Sequence, residues 1–453
     1  MPDDLRAPTS VLHIDTEPTW RGGEQQMLYL ASGLALLRYE SGGYRRMRWF
    51  LGGTLLFLCA LLSKTVTATL PAALLLVCWW KCGRIDRRSL EVFAPLMLLG
   101  AVLGAVTVAM EKVVVGARGA DWDLTFADRL VVAGRALWFY AGKIAWPVDL
   151  CFNYPRWDIL AVSGWQWFFP VSALALMVVL WAGRNRWGRG PLVCVLFFAG
   201  TLFPALGFFD VFPMKYSFVA DHFAYLGGIG LMAGGAALLE RTAGRCLSRQ
   251  PVVGRVAAVV LVLALSCLTW QRAAVFQNPE TLWLDTLAKN NRSWMAHHNL
   301  ACHYRLDPVR IPQSLFHFEQ AVRLKPDLAD AWYNMGIIHQ HRNDFSQAHD
   351  AFVRALAIRP SYWEAHLNLG VLYSDRGRFG EALEQFKAAR RWNAYSFECW
   401  FNMGNAQMNL GRPREAAASY REALRIRPGD PCAKTNLETA LRAELGRADS
   451  RNP

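Results

Sequence analysis

The chain divides into two parts that differ in how apolar and polar positions follow one another. Between residues 49 and 270, long uncharged apolar runs alternate with short polar segments, a pattern that predicts membrane-spanning helices. We expect seven spans, at about 49–63, 68–80, 91–110, 164–182, 191–209, 219–239 and 255–270. The first two are short for the ~20 residues that a bilayer needs, so we expect them to form a tight hairpin.

From residue 295 onward, the chain instead repeats itself with a soluble helical pattern. Gly336, Gly370 and Gly404 lie 34 residues apart. Proline keeps the same step at Pro326, Pro360 and Pro428, with Ala394 in the remaining slot. A 34-residue period with these residue types is typical of tetratricopeptide repeats, in which each unit is a helix–turn–helix pair. The predicted fold class is therefore all-α: a polytopic transmembrane helix bundle followed by a tetratricopeptide-repeat α-solenoid.

These patterns divide the chain into five segments. We predict a cytoplasmic tail with a candidate βα fragment at residues 1–38 and a transmembrane domain at residues 39–270. They are followed by a connector helix at 271–294, the repeats at 295–445 and a disordered tail at 446–453. Within the transmembrane domain, residues 127–146 are helical in pattern but too polar to cross readily. Because Trp138, Tyr140 and Trp146 favour the depth of the lipid headgroups, we expect this helix to lie in the membrane interface on the external side.

The charge distribution orients the predicted spans. The chain carries a formal net charge of +13, and much of the basic excess lies in four short segments between apolar runs. Such segments are typical of cytoplasmic loops, and nucleic-acid binding is the weaker interpretation. If the seven spans alternate, the N-terminus is cytoplasmic and the repeats lie on the external, periplasmic side of what we expect to be a bacterial inner membrane.

The cysteines and histidines predict neither a disulfide framework nor a metal centre. The ten cysteines are scattered, and several lie within apolar runs, so we interpret them as packing residues. Four histidines of the repeats lack a preserved spacing and are expected to be surface residues: His339, His341, His349 and His366. We expect no metal and no bound cofactor.

The first 38 residues carry a separate signal. The stretch from Val11 to Asp15 could form a strand and the stretch from Glu24 to Leu37 a helix. Residues 20–26, at the junction, resemble the opening of cytoplasmic nucleotide-sugar glycosyltransferases of the two-Rossmann-domain type. No further strands are predicted, and one βα unit cannot bury a core. We therefore favour a disordered or interfacial tail, left by a fusion or a gene-assembly artefact, over a nucleotide site.

Several short motifs occur together in and after the apolar part. They are Ser63-Lys64 with Thr69-Leu70-Pro71, residues 143–150, residues 200–204, residues 220–226, and Leu282-Trp283 with Ala288-Lys289-Asn290. Together they resemble bacterial relatives of the transmembrane and tetratricopeptide-repeat O-mannosyltransferases, which are polytopic lipid-sugar glycosyltransferases. The resemblance implies transfer of a sugar, with mannose expected, from a polyprenyl-phosphate carrier to protein hydroxyls on the outer face.

This resemblance implies cations that hold the carrier phosphate and a carboxylate that deprotonates the acceptor. The candidates for the lipid-phosphate site are Lys64, Arg129, Arg135, Lys143, Lys215, Asp221 and His222. Each of them could instead anchor the chain at the interface or form a salt bridge. The base of the family lies in the first external loop, but residues 63–67 contain no carboxylate, so the catalytic residue is left unassigned. We expect the early helices of the family to be absent from this chain.

An asparagine recurs once in each repeat, at Asn299, Asn334, Asn368, Asn402 and Asn436. These positions resemble the asparagine ladder in the repeats of O-GlcNAc transferase, where side-chain amides hold a peptide backbone. Asparagine is also common at this position in ordinary repeats of the same type. A role in binding a peptide and a purely structural role are therefore equally open.

Two functions remain open. The chain is either a truncated or chimeric membrane glycosyltransferase, or a non-catalytic membrane-anchored scaffold that recruits proteins at the outer face. The first function implies a polyprenyl-phosphate sugar and membrane lipid as partners. Both functions imply a protein or peptide in the groove of the repeats, and neither involves nucleic acid.

Overall fold

The computed structural model describes residues 46–63, 65–117, 119, 122–159, 164–247 and 251–449. Within these ranges every regular element is a helix, so the prediction of an all-α fold is confirmed. Contacts divide the described chain into two units, residues 46–291 and residues 292–449. The candidate βα fragment at 1–38, Lys64 and residues 450–453 lie outside the described residues.

The described part of the first unit contains ten α-helices. They are α1 (Arg46–Ser63), α2 (Leu70–Cys82), α3 (Arg87–Met110), α4 (Phe126–Ala145), α5 (Phe168–Ala182), α6 (Arg184–Trp187), α7 (Gly190–Leu202), α8 (Ala224–Leu247), α9 (Pro251–Val275) and α10 (Pro279–Lys289). Five stretches are long and apolar enough to cross a membrane: Thr65–Cys82, Ser89–Val115, Gly164–Ala182, Asp221–Arg241 and Val252–Val275. The other two predicted spans coincide with shorter apolar helices, Phe50–Ser63 and Gly190–Ala205.

The first three helices pack on one another. A 3₁₀ turn at Thr65–Thr69 joins α1 to α2. Phe57, Leu61, Leu70 and Phe93 form the core between the three helices, and each of them is almost fully buried. Helices α1 and α2 thus share a core with α3, and the tight hairpin between α1 and α2 stays a prediction.

Helix α9 presents an apolar outer surface. None of the span Val252–Val275 in α9 is buried within the protein. Its exposed side chains include Val259, Val262 and Leu263. Leaving such side chains in water costs about 25 cal/mol for each Å² of apolar surface, and lipid removes that cost. The surface of α9 is therefore suited to a membrane.

Helix α4 is amphipathic and covers the segment that the sequence predicts to be interfacial. It begins with a capping box, in which the side chains of Thr125 and Asp128 accept hydrogen bonds from each other's backbone N–H groups. Tyr140 lies on its buried face. A Cβ on Gly134 would lie 2.4 Å from the backbone nitrogen of Pro170, so glycine is what allows α5 to approach α4 this closely.

The second unit contains, in its described part, nine helices that stack as antiparallel pairs. They are α11 (Trp294–Tyr304), α12 (Ile311–Leu324), α13 (Ala329–His341), α14 (Phe345–Ile358), α15 (Trp363–Ser374), α16 (Phe379–Trp392), α17 (Phe397–Asn409), α18 (Pro413–Ile426) and α19 (Pro431–Asp449). Helices α11, α13, α15 and α17 are the first helices of four pairs, and α19 packs on the last pair. The predicted helix–turn–helix repeats are therefore present.

A contact between a glycine and an aromatic ring recurs in three of the pairs. A Cβ on the glycine would lie 2.4 to 2.6 Å from the ring, in the pairs Gly336–Phe352, Gly370–Phe386 and Gly404–Tyr420. All three rings are almost fully buried. The glycine of the first helix thus lets the ring of the second helix pack directly on its backbone, which explains the regular spacing of glycine along the sequence.

Replacing Gly370 with alanine tests this contact. The added methyl group would lie 2.5 Å from the Phe386 ring, so the ring has to move within a closely packed core. We expect Gly370→Ala to lower the free energy of unfolding by about 1–3 kcal/mol, despite the better helix propensity of alanine. The matched variant Gly380→Ala adds a methyl group with no heavy atom within 4 Å and is expected to be neutral or stabilising. Denaturant unfolding followed by circular dichroism measures both, and equal effects would contradict the packing argument.

Candidate functional site

The first helices of successive repeats lie side by side and present one continuous surface. We call this surface the groove face; it carries Asp330, Asn334 and Ile337 on α13, Glu364, Asn368 and Val371 on α15, and Glu398, Asn402 and Asn405 on α17. Each set has the i, i+4, i+7 spacing that places three side chains on one side of a helix. Such a surface, repeated along a solenoid, suits an extended chain as its ligand.

Three of the five predicted asparagines are bonded within the protein. Asn368 Nδ2 donates to the hydroxyl of Tyr333 at 3.1 Å, and Asn436 Nδ2 donates to Asn405 Oδ1 at 3.1 Å. Both bonds link one repeat to the preceding repeat. Asn334 Nδ2 donates to a backbone oxygen of its own helix at 2.8 Å. These three asparagines therefore have a structural role, whatever else they bind.

The other two asparagines differ from these three. Asn299 and Asn402 are half-buried, and neither has a hydrogen-bond partner within the part of the chain that the structure describes. A side-chain amide offers two donor hydrogens and an acceptor oxygen, which match the carbonyl and N–H groups of a peptide backbone. Asn402 lies on α17 in the groove face, so its amide is placed to bond a segment bound there.

His298 is a buried polar group on α11 that the sequence analysis missed. Its side chain is 4% exposed and packs against the ring of Phe318, with 5.6 Å between the ring centroids. Its Nδ1 atom has no hydrogen-bond partner within the described residues. Burial lowers the pKa of the imidazole to about 4, since a charged ring would be separated from water.

The histidines that the sequence predicts to be surface residues make separate contacts. His349 Nε2 lies 3.1 Å from the hydroxyl of Tyr373, and His366 Nδ1 lies 2.8 Å from Gln385 Oε1. Across the described ranges, no group of three or more His, Cys, Asp and Glu side chains is arranged to hold a metal ion. These contacts give His349 and His366 partners within the protein.

A second candidate site lies in the first unit, where α9 and α10 end. Arg272 and Lys289 both pair with Asp285, each at 2.6 Å. Lys289 Nζ also donates to the backbone oxygen of Leu150 at 2.8 Å. Burial disfavours the Asp285 carboxylate, but the hydrogen bonds from Lys289 and Arg272 outweigh that effect and hold its pKa below the ordinary value.

Asp221 adds a second carboxylate to this region. Its Oδ1 atom accepts a hydrogen bond from the hydroxyl of Tyr154 at 2.6 Å, and the charges of Arg272, Lys143 and Lys289 act on it. We call Lys143, Tyr154, Asp221, Arg272, Asp285 and Lys289 the rim cluster. Its three cations outnumber its two carboxylates, so the cluster is suited to an anion such as a phosphate group.

Two of the remaining phosphate candidates have structural contacts. Arg129 pairs with Asp210 at 2.6 Å, and Lys112 pairs with the same carboxylate at 2.9 Å. Burial opposes the charge of Asp210, but hydrogen bonds from Lys112 and Arg129 prevail and lower its pKa. The guanidinium of Arg135 lies over the ring of Trp157, 4.4 Å from its centroid.

Of the remaining lipid-phosphate candidates, Lys215 and His222 lie next to aromatic rings. The ammonium group of Lys215 lies 5.6 Å from the centroid of the Phe212 ring, and the His222 ring lies 4.3 Å from the Phe223 ring. Lys64 is outside the described residues. Of the predicted phosphate candidates, the structure thus places Lys143 and Asp221 in the rim cluster.

Comparison with known proteins defines the second unit. Two family models, both of the tetratricopeptide repeat, match residues 333–397 and 397–430. Residues 333–430 are tetratricopeptide repeats. No curated protein matches the chain.

Solved structures similar to this chain include three tetratricopeptide-repeat proteins. They are the first such domain of Spaghetti (RPAP3) bound to an HSP90 peptide, the Sgt2 domain from Aspergillus fumigatus, and YrrB, which has an unusual peptide-binding site. Sequence identities are 19%, 22% and 21%, with TM-scores of 0.26, 0.26 and 0.31. The matches cover 26%, 28% and 40% of this chain, and 93%, 84% and 87% of the respective relatives.

The burial of His298 predicts that the tetratricopeptide repeats weaken in acid. Its pKa is about 4 in the folded protein and 6.5 in an exposed histidine, so the unfolded chain binds the extra proton first as the pH falls. Its contribution to stability is complete above pH ~6.5 and is lost towards pH ~4. We expect the loss from this residue to reach about 2 kcal/mol between pH 7.5 and pH 5.

Denaturant unfolding of two variants at both pH values measures this contribution. His298→Leu should reduce the change in unfolding free energy between the two pH values by about 2 kcal/mol. His341→Leu, at an exposed position, should leave the change as it is in the wild type. An unaltered pH dependence in His298→Leu would contradict the assignment.

Proposed function

We propose that this chain is a membrane-anchored scaffold whose tetratricopeptide repeats bind an extended segment of another protein. The observation that carries the proposal is the groove face, a continuous surface across α13, α15 and α17 with the half-buried and unpartnered amide of Asn402 on it. An extended segment has backbone donors and acceptors that need partners when they leave water. A regular array of first helices supplies such partners at intervals along the segment.

We further propose that the first unit crosses the membrane seven times, with a cytoplasmic N-terminus and external repeats. The alternation of basic segments and apolar helices supports this orientation. The contacts of α4 support an interfacial position for that helix. Arg129 near its beginning donates to the backbone oxygen of Gly207, and Tyr140 eleven residues later accepts from the backbone N–H of Ala220. Since both contacts are with the segment between α7 and α8, α4 runs along that segment.

The rim cluster favours a second candidate function, transfer of a sugar from a polyprenyl-phosphate carrier to protein hydroxyls. Lys143, Arg272 and Lys289 are suited to a lipid phosphate, and a protein bound by the repeats would be the acceptor.

We expect polyprenyl phosphate in nanodiscs to raise the melting temperature of the wild type, and to do so less in Lys143→Gln. Equal melting temperatures with and without polyprenyl phosphate would leave the scaffold as the better account.

A selection for ligands tests the scaffold function. A random library of short displayed peptides is panned against the full chain in nanodiscs, with empty nanodiscs as the background. We expect enriched peptides, and we expect Asn402→Ala to weaken their binding about threefold to tenfold, since one hydrogen bond contributes about 0.5–1.5 kcal/mol. Fluorescence anisotropy of the labelled peptides gives the affinities.

A matched control separates the groove face from the rest of the repeats. Gln347 is an exposed amide on the second helix α14, away from the groove face. Gln347→Ala should leave the affinities unchanged. If no peptide is enriched, or if Gln347→Ala weakens binding while Asn402→Ala does not, the proposed function is wrong.

A further inference from the structure

An ion pair recurs along the repeats at a constant offset. Asp330, in the first turn of α13, accepts two hydrogen bonds from Arg359 at 3.0 and 2.9 Å. Glu398, in the first turn of α17, accepts one from Arg427 at 3.0 Å. In both pairs the arginine follows the acid by 29 residues and stands directly after a second helix of the array. The pair therefore occurs at equivalent positions in two of the repeats.

The repeat between these two keeps the acid and lacks the arginine. Glu364 occupies the first turn of α15, 34 residues after Asp330 and 34 before Glu398. The residue 29 positions further on is Asn393, directly after α16. Its Oδ1 atom accepts a hydrogen bond from the backbone N–H of Tyr395 at 3.2 Å. The cation that completes the pair in the neighbouring repeats is thus replaced by a neutral side chain with a local bond.

No other cation takes this place at Glu364 among the residues that the structure describes. Its carboxylate forms no ion pair with any basic side chain of the described residues. Arg359, whose charge acts on it, is bonded to Asp330 through both terminal nitrogens. Burial raises the pKa of the Glu364 carboxyl above its ordinary value. A half-buried carboxylate that forms no ion pair gains more from a cation than a fully solvated one does.

The surroundings of Glu364 are suited to a long cationic side chain that lies along α15. Asn368, Val371 and Asp375 follow Glu364 at steps of four, three and four residues, on the same side of the helix. Asp375 is exposed, and among the described residues no basic side chain pairs with it. Glu364 in the groove face and Asp375, directly after α15, are thus two carboxylates that form no ion pair among the described residues.

We propose that Glu364 binds a basic side chain, preferentially arginine, of the segment that occupies the groove face. The guanidinium would take the place that Arg359 and Arg427 fill in the neighbouring repeats. Arginine is preferred over lysine because its planar fork can bond both carboxylate oxygens, as Arg359 does with Asp330. This inference rests on the proposed function, since it names the chemistry of the ligand that the repeats bind.

The test compares peptides that differ in one charge. Random short peptide pools carry a fixed central arginine or its neutral isostere citrulline, and both pools are measured by fluorescence anisotropy against the full chain in nanodiscs. We expect the arginine pool to bind about threefold to tenfold more tightly. Added salt should reduce this preference, because the bond is partly exposed.

Three variants test whether the preference for arginine over citrulline depends on Glu364. Glu364→Gln removes the charge at constant shape, and Asn393→Arg supplies the missing arginine from within the chain at the offset seen in the neighbouring repeats. Both should bring the two pools to the same affinity. Glu384→Gln, on the second helix α16 and away from the groove face, removes an acid that already pairs with Lys387 at 2.8 Å and should retain the preference for arginine.

The outcomes separate the inference from the proposed function. Equal binding of the two pools by the wild type would overturn the inference and leave the peptide-binding function intact. Binding of neither pool would overturn both. A preference for arginine that persists in both Glu364→Gln and Asn393→Arg would place the cation elsewhere and would also overturn the inference. Circular dichroism confirms that each variant is folded.

Discussion

The packing of an aromatic ring on a glycine is the contact on which the groove depends. In three repeats the ring of the second helix lies where a Cβ of the first helix would be, as with Phe386 against Gly370. This close approach fixes the distance between the two helices of a repeat. It also keeps the half-buried side of each first helix that carries the groove face in register with the next. The groove face is the sum of these registered sides, so its geometry follows from a contact that touches no ligand.

The proposed binding of a ligand depends on the positions at which this regular array departs from its pattern. Asn368 and Asn436 bond the preceding repeat, whereas Asn402 does not. Two of three successive acids have an arginine, and Glu364 does not. A buried or half-buried polar group without a partner costs free energy, and a bound ligand can recover that cost. The irregular positions are therefore the ones at which a ligand gains most.

Several features could be predicted from the sequence because their causes are local. The 34-residue period reflects the glycine–ring contact within one helix pair, and the apolar runs give helices such as α9 an apolar surface that suits a membrane. The partners of individual polar residues could be predicted less well. Lys143 and Lys289 are far apart in the sequence, and only the folded helices bring them to the same cluster.

The candidate site in the repeats contains both features that the sequence predicts and contacts that it does not predict. The asparagine that recurs once in each repeat was visible in the sequence, but the hydrogen bond between Asn368 and Tyr333 depends on how two repeats stack. The offset between Asp330 and Arg359 is constant and could have been found from the sequence, given the knowledge that the two positions are in contact. His298 gave no signal, because an isolated histidine in an amphipathic helix is equally compatible with the surface and the core.

We propose that apolar helices anchor the groove face on the non-cytosolic side of a membrane. Two exposed native cysteines report on it: Cys432 lies in the repeat array and Cys82 ends α2, next to a basic segment assigned to the cytosol. Right-side-out vesicles are treated with a membrane-impermeant maleimide, and the labelled residues are identified by mass spectrometry. The account predicts that Cys432 is labelled in intact vesicles and Cys82 only after permeabilisation. Protection of Cys432 in intact vesicles would contradict it.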